Sequence, residues 1–328
     1  EPRVWYRWRM VLIWKLICLG GAGLSLSAAL MSLAAQGGRF SERLDVLTHF
    51  APIYALAALG ALALAMLQGA RVRIVLVGSG VIGLLSAISL MAPEALAGQP
   101  GPQAGPSAAG QIKIIQFNAW GGNARKADAL KWLLAQDADV IFLQESGSLR
   151  DPLVRSGGYT ATCSHCASQI LTRGVPIETY APPRIERDKV FLTTATLRDG
   201  TGRFTVVGVH RHWPTRFEQS RKQSAQLRAL LGSYEQDRLI VAGDFNSTPW
   251  SFARRHEDVS LGLVRRTRFM PTWPAERVSH NRLPALFPYL PIDHVYAGLG
   301  WATVSVMRGP KLGSDHYPVV VILAPTSP

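Results

Sequence analysis

The sequence has few cysteines and few charged residues for its length. Three cysteines in 328 residues exclude a scaffold held together by many disulfides. Charged residues make up 17% of the chain, whereas globular proteins have roughly 25%. Hydrophobic residues make up 48%, which excludes general disorder because the chain has ample apolar surface to bury. No internal repeat is evident.

Charge is distributed unevenly along the chain. Residues 1–110 carry 8 basic and 4 acidic side chains, whereas residues 111–328 carry 27 and 18. The second part therefore holds +9 of the formal net charge of +13, and most of the hydrophobic excess lies in the first third. Because domains usually have about 100–200 residues, the length also suggests two of them. We interpret the chain as an apolar N-terminal part followed by a charged, globular part.

Three long apolar runs predict a membrane anchor. They cover about residues 10–35, 50–68 and 72–92. A spanning helix needs about 20 mostly apolar residues to cross ~30 Å of hydrocarbon, and all three runs meet this requirement. A cleavable signal peptide is the rival interpretation of the first run, but its apolar stretch exceeds the usual ~7–15 residues and two further runs follow. Residues 1–92 are therefore predicted to form an N-terminal tail and three transmembrane helices in a lipid bilayer.

Basic residues predict the orientation of this anchor. Three arginines lie in the N-terminal tail and two in the second loop, against two in the first loop: Arg3, Arg7, Arg9, Arg71 and Arg73 against Arg39 and Arg43. Because cytoplasmic loops carry the excess of Lys and Arg, the N-terminus is predicted to be cytoplasmic. Three spans then place the chain after Ala92 on the extracytoplasmic side of the cell membrane, as part of a multi-pass protein.

The remaining sequence predicts a linker and an α+β domain. Residues 93–111 are rich in proline, glycine and alanine, which predicts a flexible, partly extended linker. Over residues 112–328, apolar strands and amphipathic helices mix without a strict β–α–β repeat. The strands are predicted at 112–120, 139–145, 203–210, 238–246, 292–298 and 316–323, and the helices at 126–136 and 219–234. This mixture favours helices packed outside central sheets.

Polar side chains follow several apolar strands directly. They are Asn118, Glu145, His210, Asp244, Asn246, Asp293, His294, Asp315 and His316. Each alone has an ordinary explanation as a turn former, a helix cap or a core histidine. These nine residues lie at six strand ends of one domain, which favours convergence at one edge of a sheet sandwich. Oxygen ligands such as Asn118, Glu145 and Asp315 suit Mg²⁺ or Mn²⁺, and two histidines with a free carboxylate supply a general acid and base.

An ordered series of motifs resembles the endonuclease/exonuclease/phosphatase superfamily, the DNase I-like metal-dependent phosphoesterases. The motifs are QFNAW, LQES, VGVHRHWP, GDFNSTPWS, PIDHV and GSDHYPV, within about residues 112–324. GDFN followed by SDHxP at this separation is specific, whereas LQE alone is weak. The resemblance implies a four-layer α/β sandwich with its site at one edge of two packed sheets, here in a membrane-anchored, bacterial-type member.

The resemblance also implies a metal site and a water-activating pair. Asn118 and Glu145 match the family's metal-site Asn and Glu, and Asp315 matches the aspartate that assists this site. Asp244 and Asn246 match the GDxN pair that activates the attacking water and orients the phosphate. The implied cofactor is Mg²⁺ or Mn²⁺.

Three further positions complete the implied catalytic set. Asp293 matches the aspartate that supports a catalytic histidine, and His316 matches the histidine that contacts the scissile phosphate. His210 falls where DNase I-like and sphingomyelinase-like members carry a histidine and where abasic-site endonucleases use a tyrosine nearby, which argues against abasic-site repair. We predict in-line attack by water, with Asp244 as base and His210 or His316 as acid. Family members are argued both ways on whether the Asp or the His is the base.

The predicted function is therefore hydrolysis of phosphodiester bonds by a membrane-anchored, Mg-dependent enzyme. The +9 charge of the second part favours a polyanionic substrate such as DNA or RNA, hence a nuclease-like activity. The alternatives are a phospholipid or sphingolipid phosphodiesterase and a catalytically silent membrane scaffold. An exposed apolar loop beside the site, around Leu283–Leu290, would favour lipid, whereas an arginine-lined groove would favour nucleic acid. The sequence indicates no protein partner.

Three smaller features keep alternative interpretations. Cys163 and Cys166, which flank His165, suit a local disulfide, a zinc site with further ligands, or unpaired thiols. A basic run is either a solvated face or a phosphate-attracting rim: Arg265, Arg266 and Arg268. Three residues after His210 either contact substrate or pack within their loop: His212, Trp213 and Arg216.

Overall fold

The protein is described by a computed structural model over residues 2–163, 166–181, 192–276 and 284–326. The chain divides into two compact units. The helical unit contains Glu1–Leu96 together with the short segment Trp250–Ala253, and the sheet unit contains Ala97–Pro249 and Arg254–Pro328.

The helical unit has two helices that are long and apolar enough to cross a membrane. Its helices α1 to α4 cover Pro2–Gln36, Glu42–Thr48, Ala51–Ala65 and Ala70–Leu96. The two candidate spans are Leu12–Arg39 and Ala70–Leu96, and a third exists only if α2 and α3, bent by 56°, count as one. α3 alone has 15 residues, which rise about 22 Å and fall short of ~30 Å of hydrocarbon. Of the three predicted transmembrane helices, two are therefore supported.

The predicted second span, 50–68, contains one helix that is shorter than a full span. α3 ends at Ala65 and starts at Ala51, with Pro52 in its first turn. Proline is well accommodated there because the first N–H groups of a helix have no intrahelical partner. The third predicted span is also longer as a helix, since α4 continues through Pro93 to Leu96.

Small and polar side chains hold the helical unit together. Ser25 Oγ lies 2.5 Å from Ser79 Oγ, which joins α1 to α4. The segment Trp250–Ala253 belongs to the same unit: Trp250 Nε1 donates to the carbonyl oxygen of Thr48 at 2.9 Å. The backbone N–H groups of Phe252 and Ala253 donate to the carboxylate of Asp45 at 2.8 and 3.0 Å. A buried carboxylate is thus satisfied within the unit.

The sheet unit contains two six-stranded sheets. Strands β1 to β12 cover Ile112–Asn118, Val140–Gln144, Thr160–Ala161, Ser168–Thr172, Glu178–Tyr180, Leu192–Asp199, Gly202–His210, Leu239–Asp244, Val264–Arg265, Asp293–Ala297, Trp301–Arg308 and Val319–Pro325. Helices α5 to α8 cover Lys126–Gln136, Arg150–Gly157, Phe217–Leu231 and Phe252–Ser260. The strand orders are β11-β12-β1-β2-β4-β3 and β5-β6-β7-β8-β10-β9.

Three apolar cores stack the sheet unit into layers. The first lies between the two sheets and includes Phe142 and Val206. The second lies between the first sheet and α5 and α6, and the third between the second sheet and α7. Strands buried on both faces read as continuous apolar runs, as in IKIIQF and VIFLQ. The layering of helix, sheet, sheet and helix confirms the predicted α+β sandwich.

Part of the predicted linker packs on the sheet unit. Gln103 forms an isolated bridge with Thr303 of β11, and Arg266 donates to the carbonyl oxygen of Pro100 at 3.2 Å. Arg266 also donates to the carbonyl oxygens of Gly298 and Trp301 at 2.9 and 2.8 Å. Both interpretations of the basic run are therefore wrong for Arg266, because its guanidinium is buried among carbonyl oxygens.

Candidate active site

Seven of the eight predicted site residues line one cleft of about 270 Å³ in the sheet unit. They are Asn118, Glu145, His210, Asp244, Asn246, Asp315 and His316. The eighth, Asp293, is buried beneath the cleft and bonded to His316. The structure therefore brings the predicted residues together.

Strand direction in the first sheet accounts for half of this convergence. β1 and β2 are parallel and pair Asn118 with Gln144, so Asn118 and Glu145 lie at the same edge. β12 runs antiparallel to β1, with Val319 opposite Gln116. The residues just before β12 therefore reach the edge at which β1 ends, and these include Asp315 and His316.

The second sheet supplies the other half. β7 and β8 are parallel and pair His210 with Asp244, while β10 is antiparallel and places Asp293 opposite Asp244. Three titratable side chains thus sit on three adjacent strands. Gly243 is required beside them because a Cβ there would collide with the carbonyl group of Val209.

Strained backbone occurs at the cleft. Trp120, Glu145 and Asn246 all line it, and all three have φ in the left-handed region, at 54°, 47° and 50°. Non-glycine residues in this region cost about 1–3 kcal/mol each and persist where the surrounding structure imposes them. This backbone conformation directs the side chains of Trp120, Glu145 and Asn246 into the cleft.

Asp293 and His316 form a buried ion pair. His316 Nδ1 lies 2.9 Å from Asp293 Oδ2, and both side chains are buried. Burial favours the neutral imidazole, but the charges of Asp293 and Asp244 outweigh it and raise the pKa of His316 to about 10. Burial likewise opposes the charge on Asp293, but the contact with His316 lowers its pKa. A cationic imidazole therefore faces the cleft at neutral pH.

Asp244 is a carboxylate poised to titrate near neutrality. It accepts hydrogen bonds from Asn118 Nδ2 at 3.0 Å and from the backbone N–H of Asn246 at 2.8 Å. Its Oδ2 lies 3.7 Å from His316 Nε2. Burial is the main cause that raises the pKa of Asp244 to about 7, and the charge of Asp293 adds to it. General bases work best when their pKa lies near the operating pH.

His210 also lies beside Asp244. Its Nε2 is 3.8 Å from Asp244 Oδ2 and 3.9 Å from Glu145 Oε1. Burial lowers the pKa of His210, against the opposing effect of Glu145. The two histidines of the cleft therefore differ in charge at neutral pH, with His210 neutral and His316 cationic.

Glu145 and Asp315 fit a divalent cation. Both carboxylates line the cleft and present hard oxygen donors. Asp315 is oriented by Trp273, whose Nε1 donates to its Oδ2 at 3.2 Å. Asn118 Oδ1 accepts from the backbone N–H of Trp120 at 3.1 Å, and its amide nitrogen lies between Glu145 and Asp244. In this arrangement Asn118 holds two carboxylates together, and its role as a ligand stays a prediction.

A second group of potential ligands lies deeper. Asp244, Asp293 and His316 offer ligand atoms within 4.8 Å of one another. Nδ1 of His316 already binds Asp293, so this group has the arrangement of an acid–base cluster. Glu145 and Asp315, which line the cleft, are the better candidates for metal ligands.

Sequence reasoning missed a pair of glutamines beneath the cleft. Gln116 Nε2 donates to Asp293 Oδ1 at 3.2 Å and to Gln144 Oε1 at 2.6 Å. Gln144 Nε2 donates back to Gln116 Oε1 at 3.1 Å. Both side chains are fully buried between the sheets. The signal was available, because each glutamine interrupts an otherwise apolar buried strand.

Arg211 supports the site through its backbone. Its N–H donates to the carbonyl oxygen of Asp244 at 2.8 Å, and its own carbonyl oxygen accepts from Asn246 Nδ2 at 2.8 Å. The guanidinium binds Glu257 Oε1 at 2.7 Å and is buried. His294, which follows Asp293, does not reach the cleft: its Nε2 lies 2.9 Å from the carbonyl oxygen of Ser247. Successive side chains of a strand point to opposite faces, which separates His294 from Asp293.

The three residues after His210 that were left open all line the cleft. His212, Trp213 and Arg216 stand on its wall together with Trp120 and Trp273. Trp273 could not be found from sequence, since no pattern links it to a strand end.

Comparison with known proteins assigns the family. The Endonuclease/Exonuclease/phosphatase family matches residues 115–316, well over half of the chain. The chain belongs to this family, whose members are phosphoesterases that depend on a divalent metal. No curated protein matches the sequence.

Solved structures agree in fold. The catalytic domain of human Nocturnin with bound sulfate is 18% identical, with a TM-score of 0.52 over 69% of this chain and 97% of that one. The endonuclease domain of TRAS1, a telomere-specific non-LTR retrotransposon, is 14% identical, with a TM-score of 0.51 over 66% and 100%. A functionally unknown conserved protein from Enterococcus faecalis V583 is 14% identical, with a TM-score of 0.50 over 65% and 100%. At these identities the likeness concerns the fold.

Proposed function

We propose that the protein hydrolyses phosphodiester bonds by in-line attack of water, with a divalent metal held by Glu145 and Asp315. The observation that carries the proposal is that Asp244, His316 with its partner Asp293, and the carboxylates of Glu145 and Asp315 meet at one cleft. A divalent cation, when bound, neutralises a non-bridging oxygen of the phosphate and stabilises the charge of the transition state.

The side chains divide the remaining work. Asp244, with its pKa near neutrality, takes the proton of the attacking water, and Asn246 lies beside it to orient the phosphate. His316 is charged at neutral pH, so it supports the role of acid toward the leaving oxygen better than the neutral His210. Asp293 keeps the imidazole charged and fixed in orientation.

The test uses the full chain in detergent, with Mg²⁺ and bis-p-nitrophenyl phosphate. We expect EDTA to abolish turnover and Mg²⁺ or Mn²⁺ to restore it. Asp244→Asn and His316→Gln should each lower kcat by about 10²–10⁴, the usual contribution of general acid–base catalysis. Asp128→Asn, at an exposed position on α5, is the matched control and should leave turnover unchanged. Turnover that survives EDTA, or an active Asp244→Asn variant, would contradict the mechanism. If the wild type hydrolyses none of the phosphodiesters tested, the result would support the alternative of a catalytically silent membrane scaffold.

The proposed location is a cell membrane, with the sheet unit on the extracytoplasmic side. Two helices that could span a membrane support the membrane. A disulfide joins Cys163 and Cys166, which supports an oxidising compartment because disulfides are rare in the cytosol. His165, between them, lies outside the described residues.

Net charge and the surface beside the cleft favour different substrates. The +9 charge beyond residue 110 supports nucleic acid, the first candidate. A lipid phosphodiester is the second candidate, and aromatic side chains beside the cleft favour it.

A further inference from the structure

A row of aromatic side chains runs outward from the cleft. Trp213 and Trp273 line the cleft, and their ring centroids are 5.9 Å apart. Trp273 contacts Tyr289 at 5.8 Å, and Tyr289 contacts Phe287 at 6.3 Å. All three contacts are edge-to-face, the preferred geometry for packed aromatic rings. The catalytic cleft is thus continuous with an apolar strip, which we call the aromatic row.

The ends of the aromatic row are open to the outside. Trp213 is 46% exposed and Phe287 is 45% exposed. Leu286, next to Phe287, is 90% exposed. Leu286 and Phe287 belong to the loop in which an apolar surface would favour lipid; Leu283 at its start lies outside the described residues. Large apolar side chains grouped on a surface mark a binding site for an apolar partner.

Among the described residues, two arginines line the cleft wall, Arg211 and Arg216. Arg211 is engaged by Glu257, so in the part of the wall that the structure describes Arg216 is the guanidinium left to meet a substrate. Arg265 and Arg266 are buried. Nucleic acids carry one phosphate per nucleotide and are held by several cationic contacts, whereas a lipid phosphodiester carries a single phosphate at the bond to be cut. The described part of the cleft wall therefore suits a substrate with a single phosphate better than a nucleic acid.

We propose that the aromatic row binds the hydrocarbon part of a lipid phosphodiester whose phosphate lies in the cleft. The inference rests on the proposed phosphodiesterase function and names its substrate class. The same chain carries two helices apolar enough to cross a bilayer, and the proposed membrane location would bring lipids to the sheet unit. Hydrocarbon that covers apolar side chains removes them from water, and this lowers the free energy of the complex.

The test compares two substrates with one leaving group. Methyl and hexyl p-nitrophenyl phosphate release the same p-nitrophenolate and differ only in the length of the second ester. With full chain in detergent and Mg²⁺, we expect at least a tenfold higher kcat/KM for the hexyl ester, expressed mainly in KM. Leu286→Ser and Phe287→Ser should each reduce this hexyl-to-methyl ratio at least fivefold. Leu299→Ser, at another exposed leucine of the sheet unit, is the matched control and should leave the ratio unchanged.

Binding without turnover separates this inference from the proposed function. In EDTA, hexyl phosphate should bind the wild type and Leu299→Ser at least fivefold more tightly than Phe287→Ser, as measured by calorimetry. Equal use of both esters, with EDTA-sensitive turnover, would overturn the aromatic row and leave the phosphodiesterase standing. No turnover of either ester, with the binding difference intact, would overturn the phosphodiesterase alone. A preference for a single-stranded oligonucleotide that Phe287→Ser abolishes would assign the row to base stacking and overturn the lipid.

Discussion

At the scale of single residues, the glutamine pair decides how Asp293 is held. Two reciprocal hydrogen bonds between Gln116 and Gln144 fix which end of the Gln116 amide faces Asp293. Gln116 then donates to one carboxylate oxygen while His316 binds the other. The imidazole of His316 is thus oriented by a polar network between two sheets, in which each amide depends on its partner.

Gln116→Met should lower kcat by about 10–100-fold with little change in KM, because a misplaced catalytic group loses orientation and leaves substrate binding intact. It should also destabilise the protein by about 1–3 kcal/mol, since Gln144 is left buried without its partner. The double variant Gln116→Met/Gln144→Met is the informative control. The second substitution removes the unpaired Gln144 and should restore part of the thermal midpoint, but it should not restore kcat, because Asp293 still lacks its Gln116 donor. Recovery of both would show that the pair is structural only.

The pH dependence of activity should follow Asp244. Its pKa is raised to about 7, mainly by burial, and the base acts only when deprotonated. We therefore expect kcat/KM of the full chain to rise about tenfold per pH unit below this pKa and to level above it. Asp244→Asn should remove this limb from the residual activity, whereas Asp128→Asn should leave it in place. A profile that is flat from pH 5 to 8 would contradict Asp244 as the base.

The sequence predicted the side chains that meet in the cleft better than the side chains that support them. Asn118, Glu145 and Asp244 were identifiable because each directly follows an apolar strand. Trp273, which orients Asp315, lies in a loop and is brought to the cleft by tertiary contacts alone. Gln116 was interpreted as part of a buried strand. Its hydrogen bond to Asp293 of β10 could not be predicted, because strand periodicity does not indicate contacts between sheets.

At the scale of elements, a buried ion cluster ties α8 to the end of β7. Glu257 of α8 binds Arg211 at 2.7 Å and also Arg254, one turn earlier. Arg211 in turn holds Asp244 and Asn246 through its backbone. Burial favours the neutral acid, but Arg254 and Arg211 lower the pKa of Glu257 to about 2.

Glu257→Gln should lower the thermal midpoint by about 6–15 °C, because removing one partner of a buried ion pair costs about 3–5 kcal/mol. Glu218→Gln, in an exposed pair with Lys222, is the matched control and should shift it by about 1 °C or less. The pKa of Glu257 is depressed in the folded state, so its stabilisation is present above its ordinary value of 4.5 and is lost as pH falls toward 2. Equal midpoints for both variants would contradict this account.

Element prediction was accurate where apolar patterning was strong and local. The helix predicted at 126–136 matches α5, and the strands carrying the motifs were all found. β6 was missed because threonines occupy much of LTTATLRD and hide its burial. The second transmembrane run was predicted as a complete span, whereas α3 within it has 15 residues. It could complete a span only together with α2, which precedes the run and is bent from α3 by 56°.

At the scale of the whole molecule, the number of membrane crossings decides where the sheet unit lies. Two crossings would return the chain to the side of the N-terminal tail, and three would place it on the opposite side. Lys and Arg counts put that tail in the cytoplasm. The disulfide between Cys163 and Cys166 fits the opposite, oxidising side. We therefore expect α2 and α3 together to complete a third crossing.

A pair of matched glycine-to-cysteine variants tests this topology. Gly69 lies between α3 and α4, and Gly200 lies between β6 and β7; both are exposed, and a Cβ at either meets no atom within 4 Å. In a Cys18→Ser background, with the disulfide intact, each variant carries one reactive thiol. Three crossings predict that a membrane-impermeant maleimide labels Gly200→Cys in spheroplasts of an expressing bacterium and labels Gly69→Cys only after permeabilisation. Labelling of Gly200→Cys only after permeabilisation would place the cleft in the cytoplasm, in a reducing compartment where the Cys163–Cys166 bond would not persist.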